Sequence, residues 1–94
     1  MLTDKDQLEE LRRSIDEVDD RIVSLLSRRA TLALEIGGCK ARRGLAAADP
    51  ARETLVLDRL AALAAGSPLP PEALREIYAA IIRACREIQD PGAR

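Results

Sequence analysis

The sequence lacks histidine, tryptophan and phenylalanine, and it contains a single tyrosine among its 94 residues. Without histidine, a Ser-His-Asp triad, an imidazole general base and a histidine-ligated metal are all excluded. With aromatic residues at 1%, there is no set of rings on which the bases of a single-stranded nucleic acid could stack. The formal net charge of −1 also argues against nucleic-acid binding, which depends on neutralising phosphates. The remaining chemistry belongs to arginine, lysine, carboxylates, amides and two thiols.

The composition predicts a small cytoplasmic protein that does not cross a membrane. Charged residues make up 33% and hydrophobic residues 47%, which is typical of neither a disordered chain nor a membrane span. Cys39 and Cys85 lie far apart without C-x-x-C spacing, so we expect reduced thiols rather than a disulfide. The polar and acidic segment from Thr3 to Glu10 does not resemble a signal peptide.

Proline and glycine positions divide the chain into three predicted helices and indicate an all-α fold. Thr3 or Asp4 can cap the first helix, and Gly44 suits the left-handed position after it. Asp49, followed by a proline, marks the start of the second helix. The predicted helices span residues 4–43, 49–65 and 71–89. We expect one domain over residues 1–94, either free-standing or cut from a longer protein, with a flexible tail at 90–94.

The first predicted helix is too long for a compact chain of this size, because 40 residues span roughly 60 Å. The other two helices together span roughly 50 Å, so they could lie end to end beside it in a thin layer. An apolar stripe with alternating steps of three and four residues follows the first helix. It consists of Leu8, Leu11, Ile15, Val18, Ile22 and Leu25. We therefore expect a second copy of the chain to cover this stripe.

Cations continue the apolar stripe. The next step falls on Arg29, and Lys40 follows eleven residues later on the same face, with about 20° of drift. One such arginine could pack its stem and extend its head into solvent, whereas two aligned cations indicate a bound anion. Arg12 lies roughly 42 Å from Lys40 along the helix, so it could reach the same site only from an antiparallel second chain. Alternatively, Arg12 is a surface residue.

The two shorter helices also carry polar groups on apolar faces. Arg52 opposes the dipole in the first turn of the second helix, and Glu53 lies on its core-facing stripe. Simple alternatives are a solvated helix end for Arg52 and dipole stabilisation for Glu53. Gln89 shares a face with Ile82 and Cys85, although it could be a solvated last-turn residue. Together these groups predict a pocket for a small dianion and a reaction driven by positioning and charge complementarity.

Five segments within about residues 7–89, in this order and without gaps, resemble the small all-helical type II chorismate mutases. They read L-R-R-S-I-D-E-V-D, L-L-S-R-R-A-T-L-A, E-I-G-G-C-K, D-P-A-R-E and I-I-R-A-C-R-E-I-Q. The resemblance implies an intertwined homodimer of three-helix chains, which isomerises chorismate to prephenate in aromatic amino-acid biosynthesis. It implies no cofactor and no metal, whereas the expectation of no nucleic-acid or membrane partner comes from the composition.

The resemblance also implies roles for residues that bind the substrate. Arg12, from the partner subunit, and Arg29 match the arginines that hold the two carboxylates. Asp49 and Arg52 match residues that line the pocket near the hydroxyl and the ring carboxylate. Glu53 matches the acid that accepts a hydrogen bond from the C4 hydroxyl.

By the same resemblance, the catalytic pair is Lys40 and Gln89. Lys40 matches the lysine that contacts a carboxylate and the ether oxygen, and Gln89 matches the side chain that donates to that oxygen. Because an amide donates without being protonated first, we expect activity without acidification. Cys85 stands where a small hydroxyl residue often contacts a carboxylate, and its thiol is a weaker donor.

Two alternatives to a chorismate mutase remain open from the sequence. One is a related enzyme on the same scaffold, an isochorismate pyruvate-lyase or an aminodeoxychorismate mutase, since Glu53 could pair with an amino group as readily as with a hydroxyl. The other is a helical dimerisation or regulatory module without catalysis. The inward charges of Arg29, Lys40 and Glu53 argue against that module, because a scaffold does not need them.

Overall fold

The computed structural model describes residues 3–89, which form three α-helices and no strand. Helix α1 spans Asp4–Arg42, α2 spans Pro50–Leu63 and α3 spans Pro71–Gln89. The predicted all-α class, with one long helix and two shorter ones, is confirmed. The end of α2 lies two residues before the expected position 65. The tail at 90–94, expected to be flexible, lies outside the described residues.

A reciprocal set of hydrogen bonds starts α1. The hydroxyl Oγ1 of Thr3 accepts from the Asp6 N–H at 3.1 Å and donates to the Asp6 carboxylate at 2.8 Å. The Thr3 N–H also donates to this carboxylate at 3.2 Å. This is a capping box, so Thr3 rather than Asp4 caps the helix. The hydrogen bond from the Thr3 hydroxyl, and next the one from its backbone, lower the pKa of the Asp6 carboxyl.

The connection between α1 and α2 is held at both ends. Gly44 has a positive φ of 69°, and the Leu45 N–H donates to the Lys40 carbonyl at 2.8 Å, which closes the last turn of α1. At the other end, Asp49 Oδ1 accepts from the Arg52 N–H at 3.1 Å and caps α2. The loop therefore leads into α2 in a defined conformation.

The chain divides into two compact units, residues 1–31 and 32–94, of which the structure describes 3–31 and 32–89. In the first unit, the described residues belong to α1 and its cap. The apolar stripe of this unit is exposed, since its six side chains have relative accessibilities between 46% and 63%. They are Leu8, Leu11, Ile15, Val18, Ile22 and Leu25. An apolar face of this length normally marks an interaction surface.

The second unit contains the end of α1 and the packed pair α2 and α3. Two ion pairs join α2 to α3, Asp58 with Arg75 at 3.0 Å and Glu53 with Arg86 at 2.8 Å. Because the earlier residue of α2 pairs with the later residue of α3, the helices run antiparallel. The buried side chains of the unit are small: Ala33, Val56, Ala61, Ala64 and Cys85. Within the part of the chain that the structure describes, no helix has the length and apolar character needed to cross a membrane.

Candidate functional site

Three helix termini approach one another at one end of the second unit. The Lys40 Nζ, in the last turn of α1, donates to the Ala47 carbonyl in the loop before α2 at 2.7 Å. Gly37 of α1 lies against Gln89 at the end of α3. Glu53, in the first turn of α2, pairs with an arginine of α3. The structure therefore brings the termini that carry Lys40, Glu53 and Gln89 to one region.

Lys40 is half-buried, and its ammonium group is positioned by the loop. The hydrogen bond to Ala47 uses one of three N–H donors, so the ammonium retains further donors for an anion or an ether oxygen. Because the accepting carbonyl is seven residues away, this bond also ties the end of α1 to the chain that leads into α2. The loop carbonyl is a feature that the sequence pattern did not reveal.

Gln89 is half-buried beside a glycine. A Cβ atom added to Gly37 would lie 3.1 Å from Cγ and 3.2 Å from Cβ of Gln89, closer than ordinary van der Waals contact. The neighbouring Gly38 differs, since the nearest atom to its added Cβ is the flexible end of Arg42 at 3.4 Å. The absence of a side chain at Gly37 therefore lets the last turn of α3 approach α1 closely.

Glu53 is half-buried and forms a charge-assisted hydrogen bond with Arg86 at 2.8 Å. The exposed fractions of the two side chains are 28% and 38%, respectively. Glu53 was predicted from its place on the core-facing stripe of α2, whereas Arg86 was missed. The sequence does contain a pattern that could have identified Arg86. This residue lies four residues after Ile82 and three before Gln89, on or beside the apolar face of α3.

The remaining predicted residues of the second unit have different environments. Asp49 is exposed and its carboxylate caps α2, so part of its acceptor capacity is already used. Arg52 is exposed in the first turn of α2, next to Glu53 in sequence. Cys85 is buried at 8% accessibility. Cys85 and Cys39 are not joined in a disulfide.

Arg12 and Arg29 belong to the first unit. Arg12 is exposed on α1 and Arg29 is half-buried. The other six predicted residues lie in the second unit: Lys40, Asp49, Arg52, Glu53, Cys85 and Gln89. A complete site that includes Arg12 of a partner subunit and Arg29 stays a prediction.

These side chains suit an anionic ligand with polar substituents. Lysine and arginine bind carboxylates, glutamate accepts from a hydroxyl or amine, and a neutral amide can donate or accept. Among residues 3–89, no cluster of three or more His, Cys, Asp or Glu side chains has an arrangement that could hold a metal ion. The fold and the site thus define an all-helical domain that gathers lysine, glutamate and glutamine at the ends of three helices.

Comparison with known proteins shows which family of all-helical domains this is. Residues 11–90 match the profile of the chorismate mutase type II family, and the chain belongs to that family. It is 38% identical over 87 residues to the bifunctional chorismate mutase/prephenate dehydratase of Aquifex aeolicus, covering 89% of this chain and 24% of the relative. The chain therefore spans about a quarter of the length of that relative. The family that the sequence motifs predicted is confirmed.

Two further relatives carry a single activity in their names. The 4-amino-4-deoxychorismate mutase of Streptomyces venezuelae is 32% identical over 89 residues, which cover 95% of this chain and 86% of the relative. The chorismate mutase of Methanocaldococcus jannaschii is 36% identical over 55 residues, which cover 58% of this chain and 56% of the relative. These names differ at one substituent of the substrate, a 4-amino group.

Proposed function

We propose that this chain catalyses the rearrangement of chorismate to prephenate, as a homodimer with two equivalent sites. The observation that carries the proposal is the approach of the α1 terminus with Lys40 to the α3 terminus with Gln89. Membership of the chorismate mutase type II family supports the same reaction.

The reaction needs positioning and charge stabilisation rather than proton transfer. It is a unimolecular pericyclic step, in which a C–O bond breaks as a C–C bond forms. The enolpyruvyl arm must be held over the ring, and negative charge develops on the ether oxygen in the transition state. Donors on that oxygen accelerate the reaction because they bind the transition state more strongly than the ground state. A chain with no histidine can supply such donors.

Lys40 and Gln89 fill this catalytic role. The ammonium of Lys40 has donors beyond the one bonded to Ala47, and Gln89 offers an amide N–H without a change of protonation. Gly37 positions Gln89 by allowing the close approach of α3. Both donors would be directed at the ether oxygen, and their hydrogen bonds to it would strengthen as the C–O bond breaks.

The other residues hold the substrate in its reactive shape. Arg29, Arg52 and the partner's Arg12 bind the two carboxylates, in hydrogen-bonded pairs of the kind that arginine forms well. Asp49 and Glu53 lie near the ring substituents, with Glu53 accepting from the C4 hydroxyl. The buried Cys85 sits beside a carboxylate as a weak donor.

The exposed stripe of the first unit supports the homodimer. Six apolar side chains that are 46% to 63% accessible in one chain would be covered by a second copy. An antiparallel arrangement of two α1 helices would also bring Arg12 to the site of the other chain. Cys39 and Cys85 form no disulfide, which supports a reducing compartment, and we place the enzyme in the cytoplasm.

A second candidate function is the rearrangement of 4-amino-4-deoxychorismate. It is favoured by the Streptomyces venezuelae relative, which this chain covers over most of its length. The Glu53 carboxylate could accept from an amine as well as from a hydroxyl. Rates measured on chorismate, isochorismate and 4-amino-4-deoxychorismate would separate the mutase from these related activities.

The direct test of the proposed function follows the loss of the diene absorbance of chorismate with purified protein, with identification of the product. We expect prephenate without added metal or cofactor. Absence of turnover on all three substrates, by a folded dimer, would favour a helical dimerisation or regulatory module.

A further inference from the structure

The ion pair between Glu53 and Arg86 has no place in the rearrangement as described. It joins the first turn of α2 to the end of α3 at 2.8 Å, and the two side chains are 28% and 38% accessible. Such partly buried charges are screened less by salt and water than fully exposed ones. The charge of Arg86 therefore acts on whatever group of a ligand binds to Glu53.

The charges of the pair distinguish two kinds of ligand. Glu53 and Arg86 together are neutral, so a hydroxyl that donates to the carboxylate leaves the local charge balanced. An ammonium group at the same place would add a second cation next to the one carboxylate, and like charges at this range repel. Without Arg86, the ammonium and Glu53 would instead form a balanced pair.

The hydrogen bond also orients the carboxylate. Arg86 Nη1 donates to Oε1 of Glu53, and a carboxylate can accept further hydrogen bonds through its remaining lone pairs. A side chain held at one oxygen presents its other oxygen in a fixed direction. Arg86 thus acts through Glu53 and is a positioning residue rather than a catalytic one.

We propose that Arg86, through its ion pair with Glu53, makes the site select a substrate with a neutral hydroxyl over one with an ammonium at the same ring position. This inference rests on the proposed function and deepens it, because it chooses between the two substrate classes that Glu53 alone would accept. Arg86, and not the glutamate, determines that choice.

A matched control is the ion pair that joins α2 to α3 farther along the two helices. Arg75 joins α3 to Asp58 of α2 at 3.0 Å, and its side chain has the same 38% accessibility as that of Arg86. Asp58 is 60% accessible and is not among the predicted site residues. Removing Arg75 therefore takes away the same charge and the same kind of helix contact without affecting Glu53.

The test uses the purified full chain and the variants Arg86→Met, Arg86→Lys and Arg75→Met. Lysine and methionine have similar helix propensities, so the first two variants differ mainly in charge. We measure kcat/KM for chorismate and for 4-amino-4-deoxychorismate on each preparation and take their ratio. The ratio cancels any difference in the folded fraction. Arg86→Gln is the second neutral variant if Arg86→Met does not fold.

We expect the neutral variants of Arg86 to shift the ratio about tenfold toward the amino substrate, through loss of a like-charge repulsion. Arg86→Lys should rescue the wild-type ratio, and Arg75→Met should leave it unchanged. The inference would be overturned by an unchanged ratio in the neutral variants. It would also be overturned by an equal shift in Arg86→Lys or in Arg75→Met. In either case, turnover of chorismate by the wild type would still uphold the proposed function. A wild type that converts neither substrate would overturn both.

Discussion

The two units of the chain use the same long helix in different ways. In residues 3–31, α1 exposes an apolar stripe, with Ile15 at 59% and Leu25 at 63% accessibility. In residues 32–89, the end of the helix is tied to its own chain through Lys40 and through the contact of Gly37 with Gln89. The difference agrees with the proposal that the first part of α1 meets a second chain, whereas its last turns hold Lys40 at the substrate site.

The charges of α1 follow the same division. Residues 1–20 contain eight acids and three bases, whereas residues 21–43 contain one acid and six bases. Acids at the start and bases at the end both suit the helix dipole, and the last turn carries Lys40 and Arg42. A net charge of −1 for the whole chain therefore conceals a cationic second half of α1.

A charge placed in the apolar stripe should have the largest effect, which is a rise in the dissociation constant of the dimer. Ile15→Asp changes a residue that is 59% accessible in one chain, so it would be nearly harmless if the chain functioned alone. In a dimer the carboxylate would be buried and unpaired, and the dissociation constant should rise by roughly a thousandfold. Sedimentation equilibrium measures this constant, and the rate of chorismate loss should fall with it.

The control for this variant is Ser24→Asp. Ser24 is exposed two residues after Ile22, on the side of α1 opposite the stripe, and the variant adds the same charge. It should leave the dimer intact. Equal dissociation constants for Ile15→Asp and the wild type would remove the proposed difference between the two units.

The next largest effect concerns the amide of Gln89 in the second unit, which we propose as a catalytic donor. Gln89→Glu keeps the shape of the side chain, but its carboxylate cannot donate to the ether oxygen until it is protonated. We expect kcat to fall by about a hundredfold at pH 8, as for the loss of one transition-state donor, and to recover as the pH falls toward the ordinary glutamate range. Turnover at pH 8 equal to that of the wild type would contradict the role of Gln89.

A smaller effect should distinguish two adjacent glycines of α1. In Gly37→Ala the new Cβ would press on Gln89 at 3.1 Å, and the displaced amide should lower kcat by about tenfold. Gly38→Ala meets only the flexible end of Arg42, so it should keep kcat and gain about 0.5–1 kcal/mol in unfolding free energy from helix propensity. Steady-state kinetics and urea unfolding of both variants check this, and equal kcat values would refute the positioning role of Gly37.

The smallest effect belongs to the exposed cap of α1. Hydrogen bonds from Thr3 lower the pKa of Asp6 below its ordinary value of 3.8. Because the pKa of Asp6 is lower in the folded state than in the unfolded state, its ionised carboxylate stabilises the folded state above pH 3.8. This contribution is lost as the pH falls through the pKa of Asp6 in the folded state. The helical signal of the wild type should therefore fall slightly more than that of Asp6→Asn between pH 6 and pH 2.5. Identical acid profiles in circular dichroism would contradict this cap.

Much of the fold followed from local signals in the sequence. Thr3, Gly44 and Asp49 have short-range capping roles that depend on a few neighbouring residues, and the structure confirms helix boundaries close to each. The charged residues Lys40 and Glu53 could be identified because they interrupt apolar faces. Such signals require no knowledge of how the helices pack.

The features that were missed depend on packing between distant parts of the chain. Arg86 becomes a partner of Glu53 only when α2 and α3 run antiparallel in one register. Gly37 appears in the sequence as a costly helix residue, and its use emerges only where the end of α3 approaches α1. By contrast, the contribution of Arg12 from a second chain was anticipated from its spacing along α1, and it stays a prediction.

The measurement that tests the central claim most directly is complementation between two inactive variants. Arg12→Ala changes the first unit and Lys40→Ala changes the second, and each alone should lose most chorismate mutase activity. In a refolded mixture, a heterodimer would contain one site with both residues intact and one site lacking both. We predict that purified heterodimers regain about half of the wild-type activity, because one of the two sites is restored. Heterodimers as inactive as the two parents would contradict a site shared between subunits.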